Sequence, residues 1–174
     1  ITSLGHPGEV VKVVHAYGGV VFSDVIHAYH ARKAIAAGVD GIVAVAGGAG
    51  GHAGTQSPFS LVREIREFWD GALVLGGSIS DGASVRAAEV MGADFAYIGS
   101  AFIATEEARA VDAYKQALVA GNSDDIVYSN LFTGVHGNYL RGSIVNAGLD
   151  PANLPVSDAS KMSFGGGENA AKKA

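Results

Sequence analysis

The sequence predicts an α/β fold built from repeated βα units around a parallel sheet, and three observations carry that expectation. Apolar runs rich in β-branched residues alternate with glycine-bounded segments of helical periodicity. The units recur at a spacing of roughly 20–30 residues, as a βα repeat requires. Three of the strand-like runs end in small residues: Ile42–Ala46 runs into Gly47-Gly48-Ala49-Gly50-Gly51-His52, Leu73-Val74-Leu75 into Gly76-Gly77-Ser78, and Tyr97-Ile98 into Gly99-Ser100.

In chain order, strands are expected at residues 1–4, 19–22, 41–46, 72–75 and 95–98, with helices at 10–17, 28–37, 58–69 and 82–91 between them. The third helix is the best marked, because Ser57 can cap it, Pro58 suits its first position, and Leu61, Ile65, Phe68 and Trp69 form one apolar stripe. The fourth is expected to start at the N-cap Asp81 and to stop at Gly92. Beyond Ala104 the pattern changes. Thr105 is expected to cap a helix with Glu106 and Glu107 in its first turn, Val111, Tyr114 and Leu118 on one face, and Gly121 at its end, with no strand after it. This gives βα units with their following helix over 1–121 and a helical and loop appendage over 122–174. Gly165-Gly166-Gly167 and the charged tail are expected to be flexible.

Composition narrows the functional classes. At 174 residues with 48% hydrophobic content, the chain can bury one sizeable core. A net charge of −5 with scattered Lys and Arg gives no electrostatic footprint for nucleic acid or an anionic membrane. The absence of cysteine removes disulfide scaffolds, thiolate catalysis and Cys-ligated zinc, and fits a cytoplasmic setting. No apolar run reaches membrane-spanning length, and no basic leader precedes a hydrophobic stretch. A chain that opens inside an expected strand without an initiator Met is expected to continue upstream.

In parallel α/β folds, function gathers at the carboxyl ends of the strands, where the glycine exits fall. Backbone N–H groups at Gly76-Gly77-Ser78 and Gly99-Ser100, aided by a following helix N-terminus, can cradle a phosphate. Tight βα turns that merely need glycine would look the same. Neither a dinucleotide fingerprint nor a Walker A motif is present. His52, held among glycines, is a candidate base or a donor to a developing anion, since imidazole changes charge near neutral pH; a solvated turn residue is the plainer alternative. Asp24 is either a site carboxylate at a strand exit or the N-cap of the helix that starts near His27. His27 and His30 sit three apart, but a solvated helix start is favoured over a metal site. His6 is read as a surface-loop residue, and His136 earns no role.

Several segments in this order resemble the C-terminal portion of the nitronate monooxygenase family, formerly 2-nitropropane dioxygenases. They are Ala37-Gly38-Val39-Asp40-Gly41, Ala49-Gly50-Gly51-His52-Ala53-Gly54, Gly76-Gly77-Ser78-Ile79, Met91-Gly92-Ala93-Asp94, Tyr97-Ile98-Gly99-Ser100 and Phe102-Ile103-Ala104-Thr105-Glu106. The resemblance implies a (β/α)8 barrel of the TIM type, of which only the later βα units are present. It also implies FMN as cofactor and His52 as the catalytic histidine. Gly76, Gly77, Ser78, Gly99 and Ser100 would form the phosphate loops, with Gly50, Gly51 and Asp24 as further cofactor contacts and no metal. The implied reaction oxidises a small nitronate or nitroalkane with O2 to a carbonyl compound and nitrite. Two other enzymes share parts of this pattern: a flavin-dependent enoyl-acyl-carrier-protein reductase and a flavin-free phosphosugar isomerase or lyase. A catalytically silent half-barrel held together by self-association is the non-enzymatic alternative.

Overall fold

The computed structural model describes residues 1–158. In chain order its elements are α1 (Gly8–His15), β1 (Phe22–Val25), α2 (Ala28–Ala36), β2 (Gly41–Val45), β3 (Gly51–His52), α3 (Pro58–Arg66), β4 (Ala72–Gly76), α4 (Gly82–Met91), β5 (Phe95–Tyr97), α5 (Ser100–Ile103), α6 (Asp112–Ala120), β6 (Ile126–Ser129), β7 (Gly137–Leu140) and α7 (Arg141–Asn146). The chain forms two units: Ile1–Ala49 with Ala53–Ile98, and Gly50–His52 with the chain from Gly99 onward. This division falls at 98/99 and sets apart a three-residue piece of the glycine segment, where the sequence pointed to a single break after 121.

Unit one is the parallel βα assembly. Its four strands lie in the order β1-β2-β4-β5, all parallel. β2, buried along nearly its whole length, reads Gly-Ile-Val-Ala-Val, the near-continuous apolar run expected of an inner parallel strand. Ile42, Ala44, Leu73 and Leu75 are packed in one core with Ala31 and Ala34 of α2, Leu61, Val62 and Ile65 of α3, and Ala88 of α4. Phe22, Val43, Val74, Phe95 and Tyr97 instead line, with Ile1, an open apolar cleft of about 330 Å³. This alternation comes from the period of two along each strand, which sends register-matched residues to the same face.

The helix ends follow the sequence closely. Ser57 accepts a bond from the Phe59 N–H and Pro58 occupies the first turn of α3. Asp81 and Ser84 form a capping box at the start of α4, and Gly92 closes it in the left-handed region at φ 109°. The amino end of the sheet is fastened by Arg66, which donates to the carbonyls of Gly92, Trp69 and Gly71 and pairs with Asp94 at 2.7 Å.

Two expected strands differ from the structure. Residues 1–4 contribute a single parallel bridge, Thr2 to Ser23, and not a strand. The strand expected at 19–22 lies at Phe22–Val25. Val20 and Val21 drew the expectation forward, yet Val20 is exposed and only Val21 enters the core.

Unit two is a small antiparallel sheet of order β3-β7-β6 with three helices beside it in sequence. Strands β6 and β7 lie where a helical and loop appendage without strands was expected. The helix expected from Thr105 starts at Asp112, after Val111 in extended conformation. Thr105 does not cap it: its hydroxyl donates back to the Phe102 carbonyl at 2.9 Å. Gly121 ends it as expected. Among the described residues no helix is long and apolar enough to cross a membrane. The glycine run at 165–167 and the tail lie outside the described residues.

Candidate active site

Within unit one, the turns after β2 and β4 are joined. Ser78 donates its N–H to the Gly48 carbonyl at 3.3 Å and its hydroxyl to the Gly47 carbonyl at 3.4 Å, and the Ala46 N–H donates to the Gly76 carbonyl at 2.9 Å. Gly77 has φ +125°, and a Cβ there would meet the carbonyl oxygens of Ala46 and Gly47 at 3.0 Å, so the turn requires glycine on two counts. Ser78 also sits in the left-handed region, at φ 56°, a conformation costly for a residue with a Cβ and concentrated at ligand-binding turns. Gly76 is in register with Tyr97, so β4 and β5 end level, and Gly99-Ser100 follows Tyr97 after one residue.

The helix assistance expected for a phosphate is not provided by α4. Its first turn is already occupied by the Asp81 carboxylate, held below its usual pKa mainly by the Ser84 N–H.

Within unit two, β3 carries the imidazole. Gly51 and His52 pair antiparallel with Asn138 and Gly137, and His52 Nε2 lies 2.9 Å from the Thr133 hydroxyl. His52 is half-buried. Gly50 is close to Ser100: a Cβ on Gly50 would lie 3.0 Å from the Ser100 hydroxyl oxygen, whereas one on Gly99 would point into open space. Thus His52, Gly50, Gly51, Gly99 and Ser100 belong to one unit, and Asp24, Gly76, Gly77 and Ser78 to the other.

Asp24 is not at a strand exit. It is the third residue of β1, opposite Val43, and α2 is capped from His27 with no side-chain bond, so the N-cap role for Asp24 is corrected. Its Oδ1 is buried with no hydrogen-bond partner among the described residues. Burial pushes its pKa above the ordinary 3.8, with a Ser3 hydrogen bond opposing. Folding therefore favours the protonated carboxyl, and this contribution to stability is lost as pH rises from the unfolded value through the raised folded one. Asp24→Asn is expected to melt higher than the parent at pH 7 and at the same temperature once the pH is below about 3.8, where both states hold the proton. An equal difference at both pH values, followed by circular dichroism, would contradict this.

Four of the other histidines make local contacts. His27 and His30 stack at 3.7 Å, and the His30 pKa is lowered by burial and by the charges of His27 and Lys33. Nδ1 of His6 accepts from the Gly8 N–H, and His136 stacks on Tyr128. Among the described residues no group of three or more His, Cys, Asp or Glu is placed to hold a metal ion. Sequence reasoning missed Thr133, Gly137 and the pairing of His15 with Asp40 at 2.8 Å. The β-branched and aromatic run Ile126-Val127-Tyr128 was a local signal pointing to a strand near Thr133.

A parallel sheet of βα units with glycine turns at its strands' carboxyl ends is consistent with part of a (β/α) barrel. The family model for nitronate monooxygenase matches residues 1–160, and the chain belongs to that family. A Mycobacterium tuberculosis protein named as a monooxygenase is 33% identical over 159 residues, which cover 88% of this chain and 42% of the relative. The crystal structure of a nitroalkane oxidase from Streptomyces ansochromogenes is similar at TM-score 0.69 and 30% identity, over 79% of this chain and 42% of that one. A FabK variant from Thermotoga maritima is similar at TM-score 0.73 and 25% identity, over 87% of this chain and 54% of that one. The chain thus spans about half or less of the proteins it resembles.

Proposed function

We propose that the protein is an FMN-dependent oxidoreductase that converts small nitronates and nitroalkanes, with O2, to a carbonyl compound and nitrite. The observation that carries this is family membership over residues 1–160, and the reading takes His52 as the catalytic histidine. Each unit has one feature that fits a bound polar group: Gly99 leaves open space beside its backbone, and the buried Asp24 Oδ1, without a partner, suits a hydrogen-bond donor. By the family resemblance, Gly76, Gly77 and Ser78 of one unit and Gly99 and Ser100 of the other are phosphate-loop segments, and each offers backbone N–H groups that glycine leaves approachable and a hydroxyl. Gly50, Gly51 and Asp24 would contact the remainder of the cofactor. When bound, FMN supplies the electron transfer between substrate and dioxygen.

The chain's own contribution is acid–base and electrostatic. Neutral imidazole can take the α-proton of a nitroalkane, and imidazolium can hold the resulting nitronate anion. Glycines on the amino side of His52 keep side chains out of the approach to the ring. The reading places the reaction in the cytoplasm, in keeping with a chain free of cysteine.

Cofactor content tests the proposal. Protein purified after FMN supplementation is expected to release about one FMN per chain, identified by mass, and to form nitrite from a nitronate only when oxygen is present. A colourless protein that stays colourless after supplementation would overturn it and favour a flavin-free phosphosugar isomerase or lyase.

A further inference from the structure

The start of α2 gathers groups that are positive or become so, with no acid beside them. His27 caps the helix in extended conformation without a side-chain bond, and its carbonyl accepts from the N–H groups of His30 and Ala31 at 3.1 and 3.3 Å. The imidazoles of His27 and His30 lie face to face, ring centroids 3.7 Å apart and planes tilted by 30°. Lys33, further along α2, holds its Nζ 4.5 Å from the centre of the Tyr29 ring. No acidic residue occupies the first turn, and none occurs in the chain from Val25 to Val39.

Among the described residues, the elements packed on α2 hold their own charges elsewhere. β2 has no titratable side chain, and burial of Asp24 in β1 disfavours its charged form. On α3, Glu64 accepts from Gln56, Arg63 donates to the Met91 carbonyl and Arg66 pairs with Asp94. Burial first, and then the charges of His27 and Lys33, lower the His30 pKa from 6.5.

Neutral rings can stack, and one proton leaves a single cation against a neutral face. A second proton would set two imidazolium rings at 3.7 Å, at the positive end of the helix dipole. We infer that His27 and His30 form an acid-sensitive latch on the first turn of α2, closed while the pair carries at most one proton and open once it carries two. Linkage gives the direction: folding of this turn favours the neutral His30 ring, so its contribution is present above about pH 6.5 and is lost as pH falls below that value. The turn follows the carboxyl end of β1, where parallel sheets gather function, so the latch acts on the rim of unit one.

The test follows the turn and both rings together. In ¹³C- and ¹⁵N-labelled protein titrated from about pH 8 to about pH 5, the Cα shifts of Tyr29, His30 and Ala31 are expected to move from helical toward coil values, the ratio of open to closed turn rising about tenfold. The ring signals of His27 and His30 are expected to titrate in two coupled steps. His27→Gln and His30→Gln each leave one imidazole, and their Cα shifts are expected to stay helical; where one variant does not fold, the other carries the comparison. Cα shifts of α4 are expected to hold in the parent and in both variants. Helical shifts kept by the parent down to about pH 5, or the same loss in the glutamine variants, would overturn the inference. So would an equal loss in α4, which marks acid unfolding of the whole unit.

Discussion

His52→Asn is expected to lower kcat with a neutral nitroalkane by about 10²–10⁴-fold, the range supplied by a positioned general base. Asparagine is close in size and can still donate to the Thr133 hydroxyl, so the β3–β7 pairing at Gly137 is expected to persist. What is lost is a group that can both accept a proton and carry positive charge near neutral pH. Turnover of a preformed nitronate should fall less, because only anion binding is weakened. FMN content is expected to match the parent. Parental rates on both substrates, measured under air by nitrite release, would show that His52 is a turn residue without a catalytic role.

Gly137→Ala should be the next most damaging change. Its Cβ would come within 2.7 Å of the Gly51 carbonyl oxygen, 2.9 Å of the Gly51 carbonyl carbon and 3.2 Å of the His52 nitrogen. These are backbone atoms, which cannot swing aside as a side-chain tip can. The segment bearing the imidazole must move, and a displacement of about 1 Å at a catalytic group can cost on the order of 10²-fold in rate. Overpacking of this kind also destabilises by about 1–3 kcal/mol. Gly142→Ala is the matched control, since its Cβ would meet nothing within 4 Å and it lies inside α7. There, replacement of glycine by alanine is expected to stabilise by roughly 0.5–1 kcal/mol. Thermal melts and kcat of the two variants check this, and equal behaviour would contradict the packing argument.

The parts of the fold legible from sequence are those with local causes. Ser57-Pro58 marked the start of α3, and Asp81 and Gly92 the ends of α4, because capping is a matter of a few neighbouring residues. β2 and β4 were legible as apolar runs, β2 buried along nearly its whole length and β4 with Leu73 and Leu75 in the core. β1 was misplaced because the adjacent polar residues Ser23 and Asp24 separate Phe22 from Val25, so it lacks a continuous apolar run. The antiparallel sheet was illegible for a different reason. Its register depends on a two-residue glycine-histidine strand pairing with a segment far along the chain, and such pairing leaves little trace in local propensity.

The site was legible to a similar degree. Glycine on both sides of an imidazole marked His52 as a displayed group, and the small residues after β4 and β5 marked the turns. Asp24 was found as a residue of interest but assigned to the wrong part of its strand, since a carboxylate inside a strand reads from sequence as its end. Thr133 could not be found locally: Phe132-Thr133-Gly134 reads as any turn, and its importance arises only when β7 brings it against β3.

The central claim is that this chain belongs to an enzyme oxidising nitronates with a flavin. The most direct measurement mixes the flavin-loaded protein with a nitronate, and separately with NADH or NADPH, in the absence of oxygen, and follows visible absorbance in a stopped-flow instrument. Rapid loss of the oxidised flavin bands with the nitronate but not with the pyridine nucleotides, and their return with release of nitrite when oxygen is admitted, is the expected result. Bleaching by NADH or NADPH with none by the nitronate would contradict the claim and favour the enoyl-acyl-carrier-protein reductase chemistry.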